Sequence, residues 1–191
     1  MKTSTIGIWI KQILLGVLGL IGLLVVVVVG IVVVDANFGD KVTNHTNITY
    51  PGEGGVTLNG YLAEPEGEGT YPGILLIHEW WGLNDNVKAL ARRLAGAGYL
   101  ALAVDLYEGE VAEDRDAASR LARGSGERTE QILDNLGQAI VHLREAGVER
   151  IGVIGWCFGG GWSLRTALAF PDGIDATVIY YGRLSTDPDE L

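Results

Sequence analysis

The sequence predicts an α/β fold: a three-layer, mostly parallel sheet with helices on both faces, incomplete at its C-terminal end and preceded by one transmembrane helix. Three observations carry this expectation. Short continuous apolar runs at 73–78, 100–104, 151–155 and 176–181 alternate with segments whose apolar residues recur at helical spacing. Glycine makes up 28 of the 191 residues, about twice the usual ~7%, which suits many tight strand-to-helix turns and not a helical bundle. Residues 13–34 form 22 consecutive positions without a charge or a strong polar group; as a helix rising ~1.5 Å per residue they span a ~30 Å hydrocarbon core.

At the N-terminal end, Lys2 and Lys11 precede the apolar segment while Asp35 and Asp40 follow it. That bias places residues 1–12 in the cytoplasm and the rest of the chain on the outer side of a single-pass membrane protein. The apolar core of a cleaved signal peptide is normally only ~7–15 residues long, so a retained anchor in the lipid bilayer is expected. A polar linker follows over 35–47, and a globular domain over 48–191. Asn44-His45-Thr46 and Asn47-Ile48-Thr49 match the glycosylation acceptor pattern, a signal too short to carry weight alone. Beyond residue 34 the chain holds 12 basic against 24 acidic side chains, which argues against a nucleic-acid surface. A single cysteine excludes an intrachain disulfide framework and any multi-cysteine zinc site.

Segments 46–50 and 56–64 alternate around Pro51-Gly52 and predict an antiparallel hairpin at a sheet edge. The uninterrupted run 73–78 predicts a buried central strand. After the turn at Leu83-Asn84-Asp85, Val87, Leu90, Ala91, Leu94 and Ala95 mark a helix that Gly96 and Gly98 end. A strand at 100–104 follows, then a short helix over 114–123. Ile132, Leu136, Ile140 and Leu143 mark a longer helix. A strand at 151–155, a glycine-rich turn, a helix over 160–170 and a strand at 176–181 complete the pattern.

Gly155-Trp156-Cys157-Phe158-Gly159 sets a cysteine where a strand turns abruptly into a helix, with small residues two positions to either side. That is the pattern of a nucleophile elbow, with Cys in place of the commoner Ser. The glycines are needed because the nucleophile takes a strained backbone conformation while strand and helix approach closely. A helix N-terminus also favours the anionic form of a group placed there. A P-loop would require a lysine that this segment lacks, and Cys157 occupies the second glycine position of a dinucleotide fingerprint. Glu79, in His78-Glu79-Trp80-Trp81-Gly82, lies at the carboxyl end of another central strand, where open α/β sheets build their sites. It is expected beside Cys157, where a carboxylate can hold a thiol, oppose its ionisation or accept its proton. His78 faces the other way in extended chain and is expected to be structural. The backbone N–H groups of Phe158 and Trp80 are the candidate oxyanion donors. Trp80, Trp81, Trp156 and Trp162 cluster around the two motifs, as pocket lining or as core.

Through Ile77-His78-Glu79-Trp80-Trp81-Gly82-Leu83-Asn84, Asp105-Leu106-Tyr107 and Gly155-Trp156-Cys157-Phe158-Gly159-Gly160, the chain resembles the dienelactone hydrolase family of α/β-hydrolases over about residues 48 to 184. The resemblance implies an α/β-hydrolase-type sheet. It implies hydrolysis of a carboxylic ester or lactone with Cys157 as nucleophile and Glu79 controlling its ionisation, and no metal or organic cofactor. The triad order is nucleophile, acid, histidine, yet His45, His78 and His142 all precede Cys157, and only Asp172, Asp175, Asp187 and Asp189 follow it among the aspartates. The expectation is a partial hydrolase domain whose acid and histidine lie beyond Leu191. The competing expectation is a catalytically impaired binding or scaffold domain at the membrane surface. A thiol redox sensor is a third.

Overall fold

The structure is a computed structural model and describes residues 46–185. The expected anchor at 13–34, the segments flanking it up to residue 45, and Asp187 and Asp189 lie outside the described residues. Among the described residues no helix is long and apolar enough to cross a membrane.

Among the described residues six strands form one mixed sheet. In chain order they are β1 (Ile48–Pro51), β2 (Thr57–Ala63), β3 (Gly73–Ile77), β4 (Leu100–Val104), β5 (Ile151–Trp156) and β6 (Ala176–Tyr180), and their spatial order is β1-β2-β4-β3-β5-β6. The hairpin β1–β2 and the pair β2–β4 are antiparallel; β4, β3, β5 and β6 run parallel. The continuous apolar runs have their cause here. β3 and β4 lie inside the sheet under helices on both faces, so Leu75, Leu76, Ile77, Leu102, Ala103 and Val104 are all fully buried whichever way they point.

Four helices cover the sheet: α1 (Asp85–Gly96), α2 (Arg115–Gly124), α3 (Thr129–Glu145) and α4 (Phe158–Ala169). One face packs Leu75, Ile77, Leu102 and Val153 against Ile132, Leu136, Ile140 and Leu143 of α3 and Trp162 of α4. The opposite face packs Leu76, Ala101 and Ala103 against Ala91 and Ala95 of α1. Small residues on both sides of that second interface let the helix lie close to the sheet. Asn84 begins α1 by accepting from the Val87 amide at 3.2 Å, and Asp114 begins α2 by accepting from Ala117 at 2.8 Å.

Within the described residues the elements fall close to where the sequence predicts them, with one informative shift. The helix after the cysteine starts at Phe158, not at residue 160, and Cys157 itself is its N-cap residue. Gly159 and Gly160, placed by the sequence in a turn before the helix, are buried in the first turn of α4, where they serve the close approach of strand and helix. The hairpin is clipped by Asn47, whose carboxamide accepts from the Leu62 amide at 2.7 Å and donates to the Leu62 carbonyl at 2.8 Å. Among the described residues β6 pairs only with β5. It leaves Val178 and Tyr180 exposed.

Candidate active site

The carboxyl ends of β3, β4, β5 and β6 bring four segments to one edge of the sheet. Ile77 pairs with Gly155 in the parallel ladder, and Glu79 and Cys157 each stand two residues beyond that pair. The parallel register therefore delivers both residues to the same level of adjacent strand ends.

Cys157 is exposed, with φ 52° and ψ −111°. A positive φ in a residue with a side chain costs on the order of 1–3 kcal/mol and persists only where the surroundings enforce it. Here they do. The Cys157 amide donates to the Tyr180 carbonyl at 2.9 Å, and its carbonyl accepts from Gly161 at 3.2 Å. A Cβ on Gly155 would lie 2.2 Å from the Gly159 carbonyl oxygen, and one on Gly159 would lie 2.3 Å from that of Ile77. Only bare backbone fits between β3, β5 and α4, so the chain must bend sharply at residue 157. The sulfur stands at the N-terminus of a 12-residue helix, whose partial positive charge favours anions. The Phe158 N–H, at the first helical position, has no intrahelical acceptor.

Beyond β3 the chain turns at once, with the Gly82 amide donating to the Glu79 carbonyl at 3.2 Å. Trp80 and Trp81 are the central residues of that turn. Their rings meet edge to face at 5.2 Å, and the Trp81 carbonyl accepts from Ala112 at 2.9 Å. The Glu79 carboxylate accepts a hydrogen bond from the Tyr181 hydroxyl at 3.0 Å. That bond, followed by desolvation, raises the pKa of Tyr181, and the charges on Glu79 and Cys157 add to the rise.

His78 is structural, as its orientation in the strand predicts. It is fully buried, its Nδ1 lies 2.6 Å from the Glu79 carbonyl, and its Nε2 accepts from the Leu106 amide at 3.2 Å. With Nδ1–H donating and Nε2 accepting, the ring is neutral. Burial lowers its pKa to about 4, against the opposing backbone hydrogen bond to Glu79. The unfolded chain binds this proton near pH 6.5 and the folded chain does not, so the stabilisation is complete above pH 6.5 and is lost as the pH falls toward 4. The burial-raised pKa of Asp105 acts oppositely, weakening stability as pH rises above the usual carboxylate range. Between pH 5 and pH 7.5 His78 is expected to contribute ~2 kcal/mol of added stability in urea unfolding, against the opposing share of Asp105. The difference should largely vanish in His78→Gln; an equal slope in that variant would remove His78 as its source.

The Asp-Leu-Tyr segment beyond β4 is mostly scaffold. Asp105 accepts from the Tyr107 amide at 3.0 Å and from Gly109 at 2.6 Å, and its carbonyl accepts from Asn135 at 3.0 Å. Tyr107 packs edge-on against His78 at 4.7 Å and against Phe158 at 5.4 Å. Its hydroxyl is buried without a hydrogen-bond partner. Of the tryptophans, Trp162 is core, Trp156 stacks on Tyr180 at 5.4 Å, and Trp80 and Trp81 are half-buried beside Glu79.

Of the other acid and histidine candidates, Asp175 and His142 are placed elsewhere. Asp175 accepts from the Ile151 amide at 2.7 Å at the opposite end of β5 and pairs with Arg144 at 3.7 Å. His142 stacks on Tyr50 at 5.7 Å on α3. Among the described residues no three of His, Cys, Asp and Glu gather as metal ligands. Tyr181 escaped the sequence reading. Its only local signal is a Tyr-Tyr-Gly that closes a strand, and its partnership with Glu79 depends on the order of strands in the sheet.

Residues 58–191 match the family model described as "Dienelactone hydrolase family". "Protein usf" of Aquifex pyrophilus is 39% identical over 135 residues, covering 67% of this chain and 58% of that protein. A protein of Aquifex aeolicus (strain VF5) named "Putative carboxymethylenebutenolidase" is 35% identical with the same coverage. The chain thus spans less than two thirds of the length of these relatives. Among solved structures, one named "m3DLH" is 30% identical with a TM-score of 0.65, covering 75% of this chain and 61% of that one. A dienelactone hydrolase-like promiscuous phosphotriesterase, P91, from metagenomic libraries is 27% identical with a TM-score of 0.64 and the same coverage.

Proposed function

The chain belongs to the dienelactone hydrolase family, and from that premise we propose that it hydrolyses carboxylic esters or lactones through Cys157 while tethered to a membrane. The observation that carries the reading is the exposed cysteine at φ 52° on the bend between β5 and α4, with Gly155 and Gly159 packed too closely against backbone to carry a side chain. A cysteine serving only as core filler would be buried.

In the proposed reaction the sulfur attacks the carbonyl carbon, and the carbonyl electron pair moves onto oxygen. The N–H groups of Phe158 and Trp80 receive that oxyanion. The thiol proton passes to Glu79 and from there to the departing alkoxide, which leaves as the alcohol, or as the ring-opened hydroxyl of a lactone. Water then cleaves the thioester, releasing the carboxylic acid and restoring the thiol. The half-buried Trp80 and Trp81 beside Glu79 favour a substrate with an apolar body. The tether is residues 13–34, with residues 1–12 in the cytoplasm and the hydrolase unit outside. It is supported by the uncharged 22-residue run, by Lys2 and Lys11 before it, and by Asp35 and Asp40 after it.

One experiment tests both parts. Membranes from cells making the full chain are washed with alkaline carbonate and treated with p-nitrophenyl acetate. The expected product is an acetyl adduct on the peptide containing Cys157, recovered in the membrane pellet. Acylation confined to other residues would remove Cys157 as nucleophile; release of the protein by the wash would remove the anchor.

A further inference from the structure

The segment that leaves β6 is fastened to the elbow at two points. The Tyr180 carbonyl accepts from the Cys157 amide at 2.9 Å, and Gly182 lies so close to α4 that a Cβ on Gly160 would come within 2.8 Å of its Cα. Between these two anchors Tyr181 has φ +40°, a conformation that a residue with a side chain adopts only under constraint. The ring it carries is 72% exposed, so apolar burial does not account for where it is held. Its hydroxyl instead reaches across the edge of the sheet, over 102 positions of sequence, to donate to Glu79 Oε1 at 3.0 Å.

Resting on the reading of Cys157 and Glu79 given above, we propose that Tyr181 is a positioning residue, fixing the Glu79 carboxylate beside the thiol and partly neutralising its charge by one phenolic hydrogen bond. A bare carboxylate next to a sulfur opposes thiolate formation; one whose charge is shared with a donor opposes it less. The hydrogen bond takes up one carboxylate oxygen and leaves the other free to accept the thiol proton. Beyond β4, burial raises the pKa of Tyr107, which Arg128, paired with Glu108 at 3.0 Å, opposes.

The test is a double-mutant cycle on the full chain, reading the rate at which iodoacetamide, a neutral reagent, alkylates Cys157 at pH 7. Tyr181→Phe keeps the ring and removes only the hydroxyl. It is expected to slow alkylation about 3-fold in the native background and to leave the rate unchanged in Glu79→Gln, where there is no charge to neutralise. Equal slowing in both backgrounds would overturn the proposal, because Tyr181 would then act by shaping the loop; no slowing in either would overturn it as well. Failure of the underlying reading has a separate signature: Glu79→Gln alone would react at the native rate.

Discussion

Cys157→Ala is expected to lower turnover of small esters and lactones by at least ~10³-fold, with the thermal unfolding midpoint within a few degrees of the native chain. The methyl of alanine occupies the same strained position as the cysteine Cβ, so the bend is retained while the attacking atom is lost. Once the nucleophile is gone, the oxyanion donors and substrate contacts are left to act on an uncatalysed attack by water, which is why losses of this size follow removal of a nucleophile. The measurement is steady-state hydrolysis of p-nitrophenyl acetate and of a five-membered unsaturated lactone by the full chain. Activity within tenfold of native in the folded variant would move the chemistry away from the elbow. Cys157→Ser, which keeps a nucleophile of similar shape, should retain more activity than the alanine variant.

Gly159→Ala is expected to be strongly destabilising, by ~4 kcal/mol or more, and to yield little soluble protein. Its Cβ would lie 2.3 Å from the Ile77 carbonyl oxygen and 2.5 Å from that of His78. Both contacts are with backbone of the central strand, which cannot rotate aside as a side chain can, so α4 must lift from the sheet. Gly96→Ala is the control. An added Cβ there meets nothing within 4 Å, at the exposed end of α1, and the change should be neutral or stabilising by a few tenths of a kcal/mol. Denaturant midpoints for the two variants measure the contrast. A Gly159→Ala chain as stable as native would show that strand and helix are not packed backbone to backbone, and the account of the strained cysteine would fall with it.

What the sequence disclosed, and what it withheld, follows from the range of each interaction. The strands of the parallel core were readable because burial on both faces writes itself as an unbroken apolar run, as in Gly73–Ile77 and Leu100–Val104. The elbow was readable because its requirement for small residues falls within five positions. The structural role of His78 was readable from strand alternation, which turns it away from the face that Glu79 occupies. The start of α4 was misplaced by two residues because glycine signals a turn in local propensity, whereas Gly159 and Gly160 are present for contact with Ile77, His78 and Gly182. Asp175, one of four candidate acids on sequence position, proved to serve the far end of β5. That role depends on the β5–β6 pairing. The Tyr181 partnership with Glu79 and the unpartnered hydroxyl of Tyr107 were unreadable for the same reason, since local periodicity carries no information on which strands become neighbours.

The two carboxyl-edge partners, Glu79 and Tyr181, are separated by 102 positions, while Cys157 and its supporting glycines form within a stretch of about five. Contacts between distant segments close after local ones during folding. A nascent or partly denatured chain therefore holds Cys157 on a β5–α4 segment that still lacks Glu79 and the Ile77 and Tyr180 backbone that enforces its bend. Such a chain would carry a nucleophile with no neighbouring carboxylate to govern it, exposed to stray alkylation or oxidation. On the proposed reading, regulated reactivity of the sulfur would be a certificate of completed folding, issued only when the first and last strands of the parallel core are both in place.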